Sequence, residues 1–233
     1  PYTNMPQLLL DILDKEYTDI DELLATLFAN LDTRIKSNFE SENEDRKYRS
    51  ENSMNPFLSC FVNDCLERGT DIEQGGARYN WIMPSFVGMA NLVDSLYALK
   101  QIVFDLKELS IKEFKTILDS NFENNEIFRQ RLLNSISKYG NDIDEIDCLF
   151  GKITEHIVSE CKKYTGIHTN GNLIPSVFCW VMHESFGRQT GATPDGRKAG
   201  FPLGDGSGPC QGRELKGPTA SILSSTKWAH HEL

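Results

Sequence analysis

No stretch of this 233-residue sequence runs to about 18 apolar residues, so nothing in it has the length of a membrane-spanning helix. Basic residues are in the minority. With 24 Lys and Arg against 34 Asp and Glu, the net charge is −10, which argues against nucleic-acid or membrane-surface binding through a basic face. The start, Pro1-Tyr2-Thr3-Asn4-Met5, lacks a basic leader, an apolar h-region and an initiator Met. The chain is therefore expected to begin partway through something longer. The six cysteines (Cys60, Cys65, Cys148, Cys161, Cys179, Cys210) form no C-x-x-C pair. Reduced thiols in a cytoplasmic compartment are expected rather than disulfides. His156, His168, His183, His230 and His231 show no H-E-x-x-H or Cys-His ligand spacing, so no zinc is expected. His183 reads as a satisfied, partly buried imidazole near a pocket mouth.

Two nucleotide loops are also missing. Gly212-Arg213-Glu214-Leu215-Lys216-Gly217-Pro218-Thr219 has the glycines and the Thr of a P-loop. Pro218, however, stands where a Lys must reach the phosphates, and it removes a backbone donor. Gly204-Asp205-Gly206-Ser207-Gly208-Pro209 begins like a dinucleotide fingerprint but has Pro209 in place of the third Gly. Both readings fail.

What is present is concentrated in the last fifth of the chain. Residues 191–218 hold eight glycines and four prolines, a composition that excludes a long helix or a packed strand. Thr193-Pro194-Asp195-Gly196 has Pro and Gly where a tight turn wants them. Thr219-Ala220-Ser221-Ile222-Leu223 reads as an apolar β-type run ending the loop. Upstream, residues 6–40 keep helical apolar spacing through Leu8, Leu9, Leu10, Ile12, Leu23, Leu24, Leu27, Phe28, Leu31 and Ile35. Residues 41–55 read as a helix end and a solvated loop, and 56–68 as a short helix closed by Gly69. Pro84 is expected to open a long helix with Met89, Leu92, Val93, Leu96, Leu99, Val103 and Phe104 on one face. Asp94 beside that face reads as a partnered structural carboxylate. Ser110-Ile111-Lys112-Glu113 has capping-box spacing, and further helices are expected over 124–138 and 142–163. Residues 174–180 have strand length and composition. As a strand they would put Phe178, Trp180 and Met182 on one side and Val177, Cys179 and Val181 on the other.

Thr193-Pro194-Asp195-Gly196-Arg197, followed by Ala199-Gly200, Pro202-Leu203, Asp205-Gly206, Gly212 and Gly217-Pro218-Thr219-Ala220, resembles the signature loop of the glycyl radical enzymes. These include pyruvate formate-lyase and the glycerol, choline and hydroxyproline lyases. Gly75-Gly76-Ala77-Arg78-Tyr79-Asn80 resembles the same family's GGAxYN element, in the expected order. The resemblance spans nearly the whole chain, and Gly217-Pro218-Thr219-Ala220 is similar to the dehydratase and decarboxylase branch.

The resemblance implies an α/β fold: a helix-rich portion of a ten-stranded barrel, with 1–70 helical, 71–165 holding the GGARYN element and helices, and 166–233 a barrel strand and the Gly-rich loop. It implies a lyase that breaks a C–O, C–N or C–C bond of a small substrate through a thiyl and a glycyl radical inside a sealed barrel. The glycyl radical is installed by a separate iron–sulfur, S-adenosylmethionine-dependent activase, and the full-length enzyme is expected to be a homodimer. Neither the family's G-C-x-E loop nor its R-V-x-G-Y loop occurs in the sequence. Asp64-Cys65-Leu66-Glu67 has the Cys and Glu but lacks the Gly, so Cys65 reads as a helix residue. The chain thus looks like the segment between the two radical loops, inactive alone, binding no cofactor itself and holding no catalytic residue. The alternative is a truncated accessory or scaffold homologue. Phe178, Trp180 and Met182 are the expected substrate-cavity residues, suited to a small or aromatic carboxylate. Arg78, Tyr79, Asp195 and Arg197 are expected to hold loops in place.

Overall fold

A computed structural model describes residues 1–229; His230 and His231 lie outside the described residues. Strand β1 (Tyr2–Asn4) runs directly into helix α1 (Met5–Leu10), where the Asn4 side chain accepts the Gln7 N–H as N-cap. After a turn, Asp19 caps helix α2 (Ile20–Asn52) by accepting the Glu22 N–H. Short helices α3 (Pro56–Ser59) and α4 (Cys65–Arg68) follow, then a 3-10 turn at Ile72–Gln74. Strand β2 (Ser85–Val87) precedes α5 (Met89–Leu99), which widens into a π-helical turn at Lys100–Asp105. Helices α6 (Ile111–Asp119), α7 (Glu126–Asn134), α8 (Asp144–Cys161), α9 (Met182–Gln189) and α10 (Gly217–Ser225) follow among the described residues.

Three extended segments lie side by side in the centre. β1 pairs in parallel with β2, Thr3 opposite Phe86. On the other side of β2, residues 172–176 continue the parallel pattern: Ile82 N–H donates to Asn172 O at 3.0 Å, Phe86 N–H to Ser176 O at 2.8 Å and Ser176 N–H to Pro84 O at 2.8 Å. Buried on both faces, β2 reads Ser-Phe-Val with no alternation, as a central parallel strand should. The core lies between this sheet and α1, α2, α5 and α8. Leu23, Leu27, Leu31 and Ile35 come from α2, Leu92, Val93 and Leu96 from α5, and Phe150, Ile153 and Ile157 from α8. All eleven residues of α5 are buried, polar Asn91, Asp94 and Ser95 among them.

Local signals were reliable where the interaction they announce is local. The Ser110–Glu113 capping box forms in both directions and starts α6, and α7 and α8 lie within the expected spans. Five expectations need correction. Residues 41–52 are not a loop, because α2 continues to Asn52. Arg46 there donates to Asn80 O at 2.9 Å and Trp81 O at 2.8 Å, while Arg49 pairs with Glu42 and Glu73. The 56–68 helix is broken in two, with Asp64 at φ 77 between the halves. Pro84 leads into β2, and the helix starts only after Gly88, also at positive φ. The strand expected over 174–180 leaves the sheet after Ser176, whose side chain accepts the Phe178 N–H at 3.0 Å. Trp180 then adopts φ 52 and Met182 begins α9. Residues 219–223 are helical, inside α10, because Pro218 in the first turn supplies a φ already suited to a helix.

Candidate functional site

The two motif loops are built as fasteners. In Thr193-Pro194-Asp195-Gly196-Arg197, Gly196 N–H donates to Thr193 O at 3.0 Å and Thr193 N–H to Arg197 O at 3.0 Å, closing a turn with a one-residue bulge. Gly196 sits at φ 96, and a Cβ there would come 2.9 Å from the Leu133 side chain, so the position needs glycine. Asp195 is the hub. Its carboxylate accepts from Thr193 Oγ1, from the Arg197 N–H at 3.2 Å and from Asn91 Nδ2 at 2.6 Å; its backbone N–H donates to Ser95 Oγ and its carbonyl accepts from Lys138 Nζ. Arg197, 9% exposed, spreads its guanidinium over the carbonyls of Thr190, Gly191, Lys198 and Phe201. Burial lowers its pKa from the usual guanidinium value, with Asp195 opposing.

In Gly75-Gly76-Ala77-Arg78-Tyr79-Asn80, a Cβ on Gly76 would lie 2.0 Å from Thr70 O, which explains the second glycine. Asn80 Nδ2 donates to the carbonyls of Gly75, Ala77 and Thr169, tying this loop to the end of 166–171. Arg78 makes a two-nitrogen pair with Asp64 at 2.6 to 3.2 Å, and the Tyr79 ring lies beside Trp81 with centroids 5.0 Å apart. The expectation that Arg78, Tyr79, Asp195 and Arg197 hold loops matches these bonds for Arg78, Asp195 and Arg197, whereas Tyr79 is exposed and meets the Trp81 ring.

Between α5, α7 and the 195–213 loop lies a cavity of about 460 Å³ lined by Asn91, Asp94, Lys138, Arg197, Cys210 and Arg213, among others. Asp94 Oδ1 accepts the Tyr139 N–H at 2.7 Å, but Oδ2 is buried with no hydrogen-bond partner. Asp94 is thus only half partnered. Burial is the main cause pushing its carboxyl up to about 7, against the pull of Lys138. The Cys210 thiol in the same wall is pushed well up by burial, with Asp94 and Asp195 adding to the effect.

The three expected substrate residues do not share a face. Phe178 and Trp180, 60% and 68% exposed, meet edge to face with centroids 5.7 Å apart. Met182 turns away and packs with Val87, Cys179 and Leu203. One turn further on, His183 approaches Cys179 and Asp205, so that the three side chains form a single cluster. Its sequence trace is Cys179-x-x-x-His183, a spacing that becomes visible only once 179–183 is known to coil rather than extend. The His183 Nδ1 is buried without a partner, so the expectation of a satisfied imidazole is corrected. Burial, then Asp205, pushes the Cys179 thiol up to about 11. Cys65, buried at the start of α4, is raised by burial first and is a helix residue as expected.

Among known proteins, the pyruvate formate lyase-like family matches residues 5–187. The chain is 34% identical over 218 residues to the probable dehydratase YbiW of Escherichia coli, covering 91% of this chain and 27% of that protein. It is 35% identical over 202 residues to trans-4-hydroxy-L-proline dehydratase of Clostridioides difficile, covering 86% of this chain and 25% of that one. The crystal structure of that dehydratase with substrate bound superposes with a TM-score of 0.93 at 29% identity, over 99% of this chain and 31% of that one. The glycerol-bound B12-independent glycerol dehydratase of Clostridium butyricum gives 0.91 at 34%, over 98% and 31%. The chain therefore spans about a quarter of the length of the curated relatives it matches. The loops that fasten this fold and the match along its length agree: the chain belongs to the pyruvate formate lyase-like glycyl radical enzymes, on their dehydratase branch.

Proposed function

We propose that the protein in its full length is a glycyl radical lyase that breaks a C–O, C–N or C–C bond of a small substrate, with elimination of water as the leading case. The observation that carries this reading is the alignment of nine-tenths of the chain with a probable dehydratase at 34% identity, joined to a TM-score of 0.91 against glycerol dehydratase. In this reading the chain supplies part of the wall of a ten-stranded barrel, in which the parallel trio of β1, β2 and 172–176 is a sector. Phe178 and Trp180 are the aromatic rim toward the substrate, and Met182 stands behind them. The radical Cys and Gly belong to loops whose motifs this sequence does not contain, so the chain's own role is to shape and seal the chamber, excluding water from the reacting centre. An S-adenosylmethionine-dependent iron–sulfur activase would install the glycyl radical, and the working unit is a homodimer.

The test is anaerobic activation of the full-length protein by its activase, followed by electron paramagnetic resonance and a screen of vicinal diols, hydroxylated amino acids and small carboxylates. A glycyl doublet with water loss from at least one hydroxylated substrate is expected. Absence of the doublet under conditions that activate a known dehydratase would overturn the reading. A doublet with turnover only of non-hydroxylated compounds would retain the lyase and remove the dehydratase.

A further inference from the structure

The end of the 172–176 strand and the first turn of α9 bring three donor atoms of different kinds together. Ligand atoms of Cys179, His183 and Asp205 all lie within 4.8 Å of one another. Cys179 is fully buried, and its thiol donates to Asp205 Oδ1 at 2.6 Å. The same sulfur receives a backbone N–H from Gly206 at 3.3 Å. That amide dipole favours negative charge on the sulfur, as at a metal thiolate, while burial and the adjacent Asp205 carboxylate keep it a thiol until a cation is present. His183 adds an independent sign: its Nδ1 is buried and unpartnered, an uncompensated desolvation that a metal–nitrogen bond would remove.

Access is open. Asp205 is exposed and stands in a groove of about 780 Å³ that also reaches His183, Glu184, Gln211 and Glu214. Three carboxylates and no Lys or Arg line this groove, although Glu184 is also paired with the more distant Arg188. A passage lined by one sign of charge concentrates the opposite ion. The other buried cluster, Asp94 with Asp195 and Cys210, differs in kind, because Lys138 and Arg213 stand in the same cavity wall and Asp195 is already committed to its loop.

We propose that Cys179, His183 and Asp205 form a three-ligand site for a borderline divalent cation, zinc being the best match, with a fourth position facing the groove. A sulfur, an imidazole nitrogen and a carboxylate oxygen suit zinc in preference to calcium or magnesium, which take oxygen ligands. Ligands sharing one tetrahedral zinc sit about 3.5 Å apart given the usual bond lengths, so Cys179 and Asp205 separate from their present hydrogen bond as the ion enters. The thiol proton leaves to solvent past the exposed Asp205, and no electron changes hands.

The experiment uses the untagged full-length protein, stripped with a chelator and titrated with Co²⁺ as a spectroscopic probe and with Zn²⁺ against a chromophoric chelator. Wild type is expected to show a saturable thiolate-to-cobalt charge-transfer band that Zn²⁺ displaces. Cys179→Ser should lose that band, and His183→Gln and Asp205→Asn should each weaken Zn²⁺ binding by about 100-fold or more, since changes outside the ligand sphere alone cost about 10- to 100-fold. Should Cys179→Ser fail to fold, the exposed Asp205→Asn still decides the matter through the Zn²⁺ competition. A band unchanged in Cys179→Ser, an affinity unchanged in Asp205→Asn, or no saturable binding by wild type would each overturn the site.

Discussion

At the scale of single residues, two buried charged side chains, Asp94 and Arg197, yield sharp expectations. Asp94, on α5, accepts the Tyr139 N–H with one oxygen and is left bare at the other. Its folded carboxyl titrates at about 7, chiefly through burial, whereas in the unfolded chain it titrates near 4. The folded state therefore binds more protons across that window, so stability falls as pH rises from about 4 to about 7 and the penalty is complete above it. Asp94→Asn keeps an acceptor for the Tyr139 N–H and removes the charge. Urea unfolding should show the variant gaining on wild type by a few kcal/mol in order of magnitude between about pH 5 and about pH 8; a constant difference would exclude this assignment. Arg197 presents the opposite case, a fully used cation. Lys in its place keeps the charge but not the planar fork, leaving several loop carbonyls without donors, and a loss of about 2–4 kcal/mol is expected in the same assay. The glycine positions and the TPDG turn were legible from sequence because each requirement is written in one residue. The partners of Asp195 were not, since Asn91, Ser95 and Lys138 lie far away in sequence.

At the scale of elements, the errors share a cause: a segment's composition states its local preference, and a distant partner decides the outcome. Residues 41–52 look like solvated loop by charge, yet they remain helical because Arg46 and Arg49 reach across to the 73–81 segment. Arg46, with its side chain 16% exposed, is thus a structural bolt between α2 and the GGARYN element. Arg46→Ala should cost about 1–2 kcal/mol, from two carbonyls losing a charged donor. It should also speed amide exchange over 79–82, read by hydrogen-exchange mass spectrometry. Lys47→Ala, exposed on the same helix, should stay within about 0.5 kcal/mol of wild type. Equal behaviour of the two variants would mean that the 41–52 helix stands by itself. The 174–180 run fails for a related reason. Its apolar composition suits a strand, but a Ser176 side chain competing for the Phe178 N–H and a positive φ at Trp180 end the ladder early. That early ending keeps Phe178 with Trp180 and sends Met182 into α9.

At the scale of the whole molecule, the central strand joins what sequence separates: residues 2–4 on one side of β2 and 172–176 on the other. Asn4 Nδ2 also donates to Thr190 Oγ1 at 2.8 Å, bringing the first residues to the entrance of the TPDGR loop. The architecture therefore divides labour between a buried seam and an exposed aromatic pair, and the two should respond differently to truncation. Phe86, wholly buried in the seam, should cost about 3–5 kcal/mol as Ala and loosen amide protection in both flanking segments together. Trp180→Ala removes a side chain 68% exposed and keeps the same backbone demand, so stability should move by no more than about 0.5 kcal/mol. If the pair faces substrate in the full-length enzyme, the same variant should shift the ratio of kcat/KM between a small and an aromatic substrate by about tenfold or more, through lost contact at one end of the pocket. A stable Trp180→Ala enzyme with an unchanged ratio would move substrate selection away from this rim and leave the chain with the seam alone, a wall that carries the barrel without choosing what enters it.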